Sequence, residues 1–192
     1  MPASDGTLPD EKIARIVDAL EAAELPYALG GAIALTYWSE PRGTVDIDIN
    51  IFLPDSEAGA AFTVLERLGV SVAKDEAARE VLEKGQIRLD WGGTFVDLFF
   101  AYDPFHDSCR ERSVVVDFKG RPARVLSAED LVVFKVIFNR PHDWVDIEKL
   151  VATQGSRFDH GYARTWLTAI LGDDDSRLPR LADLVGRCGD MP

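Results

Sequence analysis

The sequence predicts a mixed α/β (α+β) protein in which a sheet is flanked by helices and followed by a C-terminal helical portion. Stretches that alternate between apolar and polar residues, typical of strands, fall between residues 27 and 125, with helical spacing before and between them. From Ser127 onward the pattern is helical throughout. We therefore divide the chain into residues 1–126, which hold the predicted strands, and residues 127–192.

The first half alternates between the two kinds of element. Ile13, Ile16, Val17 and Leu20 recur at helical spacing, which predicts a helix that ends near Leu25. The next predicted elements are a strand at Tyr27–Gly30, a helix at Ala32–Ser39, a strand at Val45–Phe52 and a helix from Asp55 that buries Phe62, Leu65 and Leu68.

The second half completes the sheet and then becomes helical. Strands are predicted at Gln86–Asp90, Thr94–Ala101, Ser113–Phe118 and Arg121–Val125, joined in part by glycine turns. Ser127 and Asp130 resemble the start of a capping box. Helices are predicted at Ala128–Asn139, Asp143–Thr153, Tyr162–Leu171 and Leu178–Arg187.

Composition limits the classes of partner. With 192 residues, of which 46% are hydrophobic, the chain is long enough to bury a core as one domain or one domain with a small appendage. The net charge of -12 argues against a nonspecific grip on long nucleic acid. A small cationic substrate stays open, and so does a local basic patch in the segment Cys109–Val125. That patch contains Arg110, Arg112, Lys119, Arg121 and Arg124, and its alternative interpretation is the solvated surface of a hairpin.

The compartment is predicted from what the sequence lacks. No apolar run approaches the length of a membrane span, and the N-terminus has no basic segment followed by an apolar one. Cys109 and Cys188 are too few and too far apart to indicate a disulfide framework or a zinc site. We expect a cytoplasmic protein that has no membrane partner.

Two carboxylates lie on one face of the predicted strand "VDIDINI". Ile47, Ile49 and Ile51 alternate with Asp46 and Asp48, so the two carboxylates fall on the opposite face, about 6.6 Å apart at ~3.3 Å per residue. Their repulsion favours a cation between them, and Mg²⁺ prefers carboxylate and phosphate oxygens. The alternative is a solvated outer face.

A third carboxylate interrupts an apolar strand. Asp97 lies in "TFVDLFFAY", on the same face as Phe95 and Phe99, where an unpaired charge would be costly. If it lies beside Asp46 and Asp48, three carboxylates can hold two metal ions about 3.5–4 Å apart. The alternative is an ion pair between Asp97 and a nearby arginine such as Arg88.

A glycine pair precedes these strands. Gly30 and Gly31 lie between a predicted strand and a short helix, where the backbone can approach a phosphate and the helix N-terminus attracts an anion. No P-loop and no G-x-G-x-x-G pattern accompanies them, so alone the pair would be a turn.

Together these residues resemble the nucleotidyltransferase superfamily with a polymerase-beta-like palm. Its pattern is a Gly-Gly or Gly-Ser turn, an Asp-x-Asp strand and a third acidic residue on a later strand. The run "GGAIALTYWSEPRGTVDIDI" is similar to AbiEii-type toxins, among them MenT-type transferases that act on tRNA ends. Small lincosamide- and aminoglycoside-type nucleotidyltransferases have a similar opening. Downstream, Lys135, Arg140, Asp143 and Asp146 match a second AbiEii-type segment.

The resemblance implies a chemistry and a set of site residues. Residues 1–126 would be the nucleotidyltransferase catalytic core and residues 127–192 would complete the site. Two Mg²⁺ ions, or Mn²⁺, would be held by Asp46, Asp48 and Asp97 and would bind the triphosphate of an NTP. The resemblance also implies that Lys135 is catalytic and that Gly30, Gly31, Arg42, Thr44, Asp143 and Asp146 bind substrate. Asp143 and Asp146 have an alternative role as acids favoured near a helix N-terminus.

The resemblance favours a toxin-like enzyme. It would transfer a nucleoside monophosphate from an NTP to a hydroxyl of tRNA or another macromolecule, with release of pyrophosphate, and an antitoxin protein would be a partner. One alternative is transfer to a small antibiotic-like molecule, which the acidic composition favours. The other is a nucleotide-binding module of the same fold without turnover.

Overall fold

The computed structural model describes residues 9–41, 43–44 and 46–189. Two short 3₁₀ turns, at Asp55–Glu57 and Gly155–Arg157, accompany the helices. The helices are α1 (Pro9–Ala22), α2 (Gly31–Trp38), α3 (Gly59–Arg67), α4 (Lys74–Lys84), α5 (Pro104–Arg112), α6 (Ala128–Phe138), α7 (Pro141–Gln154), α8 (His160–Leu171) and α9 (Arg177–Gly189). The strands are β1 (Tyr27–Leu29), β2 (Ile47–Pro54), β3 (Gln86–Trp91), β4 (Thr94–Ala101), β5 (Val114–Phe118) and β6 (Arg121–Val125).

The described residues form two compact units. The first, called the sheet unit below, contains the chain up to Ile33 and from Gly43 to Val125. The second, called the helical unit, contains Ala34 to Pro41 and the chain from Leu126 onward. Helix α2 therefore begins in the sheet unit and ends in the helical unit, which a division of the sequence at residue 126 does not capture.

Six strands in the described part of the chain form one mixed sheet in the order β3-β4-β2-β1-β6-β5. The pairs β2–β4 and β1–β6 are parallel, and the pairs β1–β2, β3–β4 and β5–β6 are antiparallel. This arrangement, with flanking helices and a helical C-terminal portion, confirms the predicted fold class.

The two central strands carry the core of the sheet unit. Ile47, Ile49 and Ile51 of β2 are buried, as alternation predicts for one face of a strand. In β4 the buried set contains Phe100, whose ring meets that of Phe62 from α3 edge-on, with centroids 6.2 Å apart. The apolar face of the sheet is therefore covered by a helix, and the carboxylates of β2 and β4 lie on the other face.

The helical unit is organised by the buried helix α6. The side chain of Ser127 accepts a hydrogen bond from the Asp130 backbone N–H at 3.1 Å, which confirms the predicted cap. Val132, Val133 and Val136 are buried, and α6 packs against α7 and α8. The capping signal and the run of apolar residues that follows it explain why the sequence predicted this helix closely.

Two helices of the sheet unit escaped the sequence prediction. In α4, "KDEAAREVLEK" buries only Ala77 and Val81, so its apolar periodicity is weak. Helix α5 has a clear start, because the Asp103 side chain accepts a hydrogen bond from the Phe105 N–H and Pro104 follows the cap. The first residues of the basic segment, Cys109–Arg112, belong to α5, so the hairpin surface predicted there begins only with β5.

Two further findings concern the helices and the cysteines. In the described residues no helix is long and apolar enough to cross a membrane. Cys109 and Cys188 are both free thiols, and both are buried.

Candidate active site

Asp48, Asp97 and Arg88 form one row across three neighbouring strands of the sheet unit. The parallel register of β2 and β4 pairs Asp48 with Asp97, and the antiparallel register of β3 and β4 pairs Arg88 with Asp97. Paired residues of adjacent strands point to the same face. Like charges directly opposite each other are destabilising, so the row needs a cation. Arg88 supplies one at its end.

Arg88 binds Asp97 with two hydrogen bonds. Its Nε donates to Oδ1 at 2.7 Å and its Nη2 donates to Oδ2 at 2.6 Å, which is the bidentate geometry of strong arginine–carboxylate pairs. The same Nη2 lies 3.5 Å from Oδ2 of Asp46. The guanidinium carbon lies 4.9 Å from the ring centroid of Phe95. The alternative that paired Asp97 with Arg88 is thus what the structure shows.

Hydrogen bonding with Asp97 raises the pKa of Arg88, and the charges of Asp46 and Asp48 act in the same direction. The Arg88 side chain is 54% exposed, whereas the Asp97 side chain is only 13% exposed. The three carboxylates of β2, its N-terminal flank and β4 are therefore gathered around one cation that faces solvent.

Asp46 lies just before β2, where Thr44 holds its backbone. The Thr44 hydroxyl accepts from the Asp46 N–H and donates to the Asp46 carbonyl, both at 3.2 Å. The resemblance implied that Thr44 binds substrate, and in the structure its hydroxyl bonds to the Asp46 main chain. Arg42, the other residue predicted there, lies outside the described residues, as does Val45.

Both glycines of the pair contact Asp48. The Gly30 N–H donates to the Asp48 carbonyl at 2.9 Å, which extends the β1–β2 pairing and engages that N–H. Gly31 begins α2 with φ of +51°, and a Cβ built there would lie 1.8 Å from Oδ2 of Asp48. Only glycine fits at this position, because the Asp48 carboxylate occupies the space of a side chain.

The carboxylates fit a divalent cation in their chemistry. Asp46 and Asp48 offer the hard oxygen donors that Mg²⁺ prefers, and Gly31 leaves room for the Asp48 carboxylate beside the start of α2. Both oxygens of Asp97 accept hydrogen bonds from Arg88. Within residues 9–41, 43–44 and 46–189, no group of three or more His, Cys, Asp or Glu side chains is arranged to hold a metal ion. The donor set at hand is therefore the Asp46–Asp48 pair.

The other predicted residues meet in the helical unit. Lys135 of α6 is buried, and its Nζ lies 2.7 Å from Oδ2 of Asp146 and 3.5 Å from Oδ1 of Asp143. Arg140 binds Asp143 through Nε at 2.7 Å and Nη2 at 3.1 Å. The resemblance matched these four residues to one AbiEii-type segment, with Lys135 as catalytic and Asp143 and Asp146 as substrate-binding, and the structure brings them together as an ion-pair network whose Lys135, Asp143 and Asp146 are buried.

Asp143 is ionised within this network. Burial raises the pKa of its carboxyl, but the hydrogen bonds and charge of Arg140 and the charge of Lys135 outweigh burial and lower the pKa below its usual value. The Asp143 side chain also accepts from the Arg140 backbone N–H at 3.1 Å and so caps α7. This agrees with the alternative role of an acid in the first turn of a helix.

The length of the turn between β3 and β4 predicts that Arg88 lies opposite Asp97. Trp91 pairs with Thr94 across Gly92 and Gly93, and a two-residue turn fixes the register of both strands. Each step away from the turn then pairs one residue of β3 with one of β4, and the third step pairs Arg88 with Asp97. The contact of Phe95 with Arg88 follows from the same register.

The basic segment is partly neutralised in the sheet unit. Lys119 forms an ion pair with Asp10 of α1, and Arg121 Nη1 lies 2.6 Å from Oδ2 of Asp18 on the same helix. Arg124 donates to the Ser113 hydroxyl at 3.3 Å. Acidic residues of α1 thus face the hairpin β5–β6 and reduce its positive charge.

Several solved structures resemble this fold. No protein-family model and no curated protein matches the sequence. The solution structure of the antibiotic-resistance factor ANT(2″)-Ia matches with a TM-score of 0.62 and 19% identity, over 93% of this chain and 95% of that one. The crystal structure of ANT(2″)-Ia in complex with adenylyl-2″-tobramycin matches with a TM-score of 0.53 and 18% identity, over 95% and 97%. At 18–19% sequence identity, these matches establish a shared fold and nothing further. The chain therefore has a nucleotidyltransferase-like fold.

Proposed function

We propose that this protein is a metal-dependent nucleotidyltransferase that moves a nucleoside monophosphate from an NTP to a hydroxyl of a small, cationic acceptor. The observation that carries the proposal is the row of Asp48 and Asp97 on adjacent strands, with Asp46 near the same guanidinium. A sheet tolerates such a row only at an energetic cost, and residues that break local rules are candidates for function.

Each residue of the row has a task that its contacts support. Asp46 and Asp48 would hold the divalent ion, which when bound would neutralise phosphate charge and orient the triphosphate. Thr44 fixes the main chain of Asp46, and Gly31 admits the Asp48 carboxylate. The positive end of the α2 dipole would attract a phosphate, because a helix N-terminus favours anions.

The reaction is a single in-line displacement. The acceptor hydroxyl oxygen forms a bond to the α-phosphorus, the bond from that phosphorus to the bridging oxygen of the β-phosphate breaks, and pyrophosphate leaves. The hydroxyl proton passes to Asp97, whose carboxylate oxygens each accept one bond from Arg88 and keep a further lone pair. No oxidant and no covalent enzyme intermediate is required.

Charge and fold favour a small acceptor. The net charge of -12 attracts cations, and acidic residues of α1 pair with Lys119 and Arg121 of the segment that favoured RNA. ANT(2″)-Ia, which shares the fold over nearly its whole length, has been crystallised with adenylyl-2″-tobramycin. An amine-rich, hydroxyl-bearing molecule of this kind is the acceptor class we propose.

A macromolecular acceptor is the second candidate. Arg110 of α5 and Arg124 of β6 are the members of the basic segment that would contact RNA phosphates. The sequence resemblance to AbiEii- and MenT-type toxins supports tRNA ends as acceptor and an antitoxin as partner. A nucleotide-binding module without turnover is the third candidate.

Purified protein incubated with each α-labelled NTP and Mg²⁺ tests all three candidates. The acceptors are tobramycin, as a polyamine-type probe, and total tRNA, in separate reactions. We expect label on tobramycin-like acceptors, lost in Asp46→Asn and Asp48→Asn and kept in Asp75→Asn, a matched exposed carboxylate at the start of α4. Label on tRNA alone would overturn the acceptor class. Nucleotide binding without transfer to any acceptor would favour the non-catalytic module.

A further inference from the structure

Arg88 already occupies the carboxylate that a second metal ion would need. Its guanidinium covers both oxygens of Asp97 with bonds of 2.7 and 2.6 Å. It is also the cation that Asp46 faces, at 3.5 Å. Arg88 therefore offsets one of the three formal negative charges of Asp46, Asp48 and Asp97.

The backbone holds Arg88 in this place. Six successive residue pairs join β3 to β4, from Gln86–Phe99 to Trp91–Thr94, and Arg88–Asp97 lies inside this ladder. The two Cβ atoms are therefore kept close by strand register, whereas most surface ion pairs depend on two freely moving side chains. Phe95, at 4.9 Å, packs against the guanidinium. Both the register and this stack favour an arginine that stays on Asp97.

We propose that Arg88 is the permanent cation of Asp97, and that the chain binds one divalent ion through Asp46 and Asp48 where the resemblance implied two. This inference rests on the proposed function, because it assumes that Asp46 and Asp48 bind a metal. Arg88 is then a positioning residue: it holds the Asp97 carboxylate in a fixed direction and supplies the charge of the missing second ion.

Counting bound Mn²⁺ tests the inference without an assay of transfer. Wild-type protein is titrated with Mn²⁺ alone, and electron paramagnetic resonance measures free and bound ions per chain. We expect one bound ion with the spectrum of an isolated centre. In Arg88→Met, which keeps an apolar stem and removes the donor to both Asp97 oxygens, we expect a second bound ion and an exchange-coupled spectrum.

Arg67→Met is the matched control. Arg67 is an exposed arginine of α3 in the same unit, so its replacement makes the same change of charge. We expect this variant to bind one ion with wild-type affinity. Equal gains in both variants would mean that net charge alone governs binding, which would overturn the role of Arg88.

A second measurement requires no variant and so does not depend on whether Arg88→Met folds. The Arg88 Nε–H resonance of isotope-labelled wild-type protein is followed while Mg²⁺ and α,β-methylene-ATP are added. We expect its protection from exchange to persist at saturation, because the bond to Asp97 is kept. Loss of protection, or two Mn²⁺ ions in the wild type, would overturn the inference alone. Absence of any Mn²⁺ binding would overturn the metal site and the proposed function with it.

Discussion

Two groups of acids, each with a cation, differ in how their charges are exposed. In the sheet unit, Arg88 of the carboxylate row has a side chain that is 54% exposed. In the helical unit, the Lys135 side chain is 4% exposed between Asp146 and Asp143. Both groups were predicted from one resemblance as parts of a single site, and each has its own architecture.

The difference teaches how burial assigns a role to a charged cluster. A buried ion pair is costly to break, because the remaining charge has no solvent. Charges that face water contribute little to stability, and Asp46 and Asp48 at such a surface stay within reach of a ligand or metal. We therefore expect the row at Asp48 to govern chemistry and the network at Lys135 to govern stability.

The substitution Asp48→Asn should produce the largest effect, on activity alone. Removing one oxygen ligand of a divalent ion should lower transfer by about a thousandfold, ~4 kcal/mol of transition-state stabilisation. The free energy of unfolding should stay constant or rise by about 0.2–1 kcal/mol, because the repulsion between Asp48 and Asp97 is removed. Kinetics and urea unfolding of the same preparation measure both. A destabilised variant with normal transfer would reverse the comparison.

Lys135→Met should give the opposite pattern in the helical unit. It leaves Asp146 and Asp143 without the cation at 2.7 and 3.5 Å, and we expect a loss of about 3–5 kcal/mol in unfolding free energy. Lys149→Met on α7 is the control, since its ammonium is 3.8 Å from Glu40 and its side chain is 49% exposed. That control should change stability by less than about 1 kcal/mol. Equal losses would refute a buried network.

Gly31→Ala tests the link between the glycine pair and Asp48. The added Cβ would lie 1.8 Å from Oδ2 of Asp48 at a φ of +51°, so we expect a loss of about 1–3 kcal/mol and weaker Mn²⁺ binding. Gly59→Ala in α3 is the matched change, because nothing lies within 4 Å of its Cβ. That variant should be as stable as the wild type or up to about 1 kcal/mol more stable. Unchanged Mn²⁺ affinity in Gly31→Ala would contradict the role of Gly31 in making room for the Asp48 carboxylate.

The smallest effect should be a pH dependence from Asp143. Its pKa is lowered in the folded state from an ordinary 3.8, so the unfolded chain binds the proton more readily. The stability contributed by Asp143 is therefore complete above pH 3.8 and is lost as the pH falls below that value through the folded pKa. Urea unfolding at pH 7, 4.5 and 3 of wild type and Asp143→Asn measures it. The variant should show a shallower fall between pH 4.5 and 3, and parallel curves would contradict the assignment.

Alternation and helical periodicity predicted most of the individual strands and helices. Alternation placed Asp97 on the same strand face as Phe95 and Phe99, and β4 has the predicted bounds. Helix α4 was missed because its exposed sequence lacks an apolar stripe. Asn50 alternates onto the same strand face as Asp48, yet it is buried whereas Asp48 is partly exposed, so alternation along a strand does not predict how its face is covered.

Periodicity could not predict contacts between residues that are distant in the sequence. Lys135 and Asp146 belong to two helices joined at Asn139, and their contact depends on how those helices pack. Likewise α3, α4 and β3 intervene between β2 and β4, so the pairing of Asp48 with Asp97 needs a parallel crossover. Periodicity reports which face a residue takes, and it does not report which strand lies beside it.

The sequence by itself determined the six strands, seven of the nine α-helices that the described residues form, the acids at positions 46, 48 and 97, and, as one alternative, an ion pair between Asp97 and Arg88. These follow from local geometry, because side-chain period and turn length act within a few residues. Only the tertiary structure decided that Asp48 stands beside Asp97, and that Lys135 is buried between two acids. Both depend on burial and on contacts between distant segments, which exist only once the chain has packed.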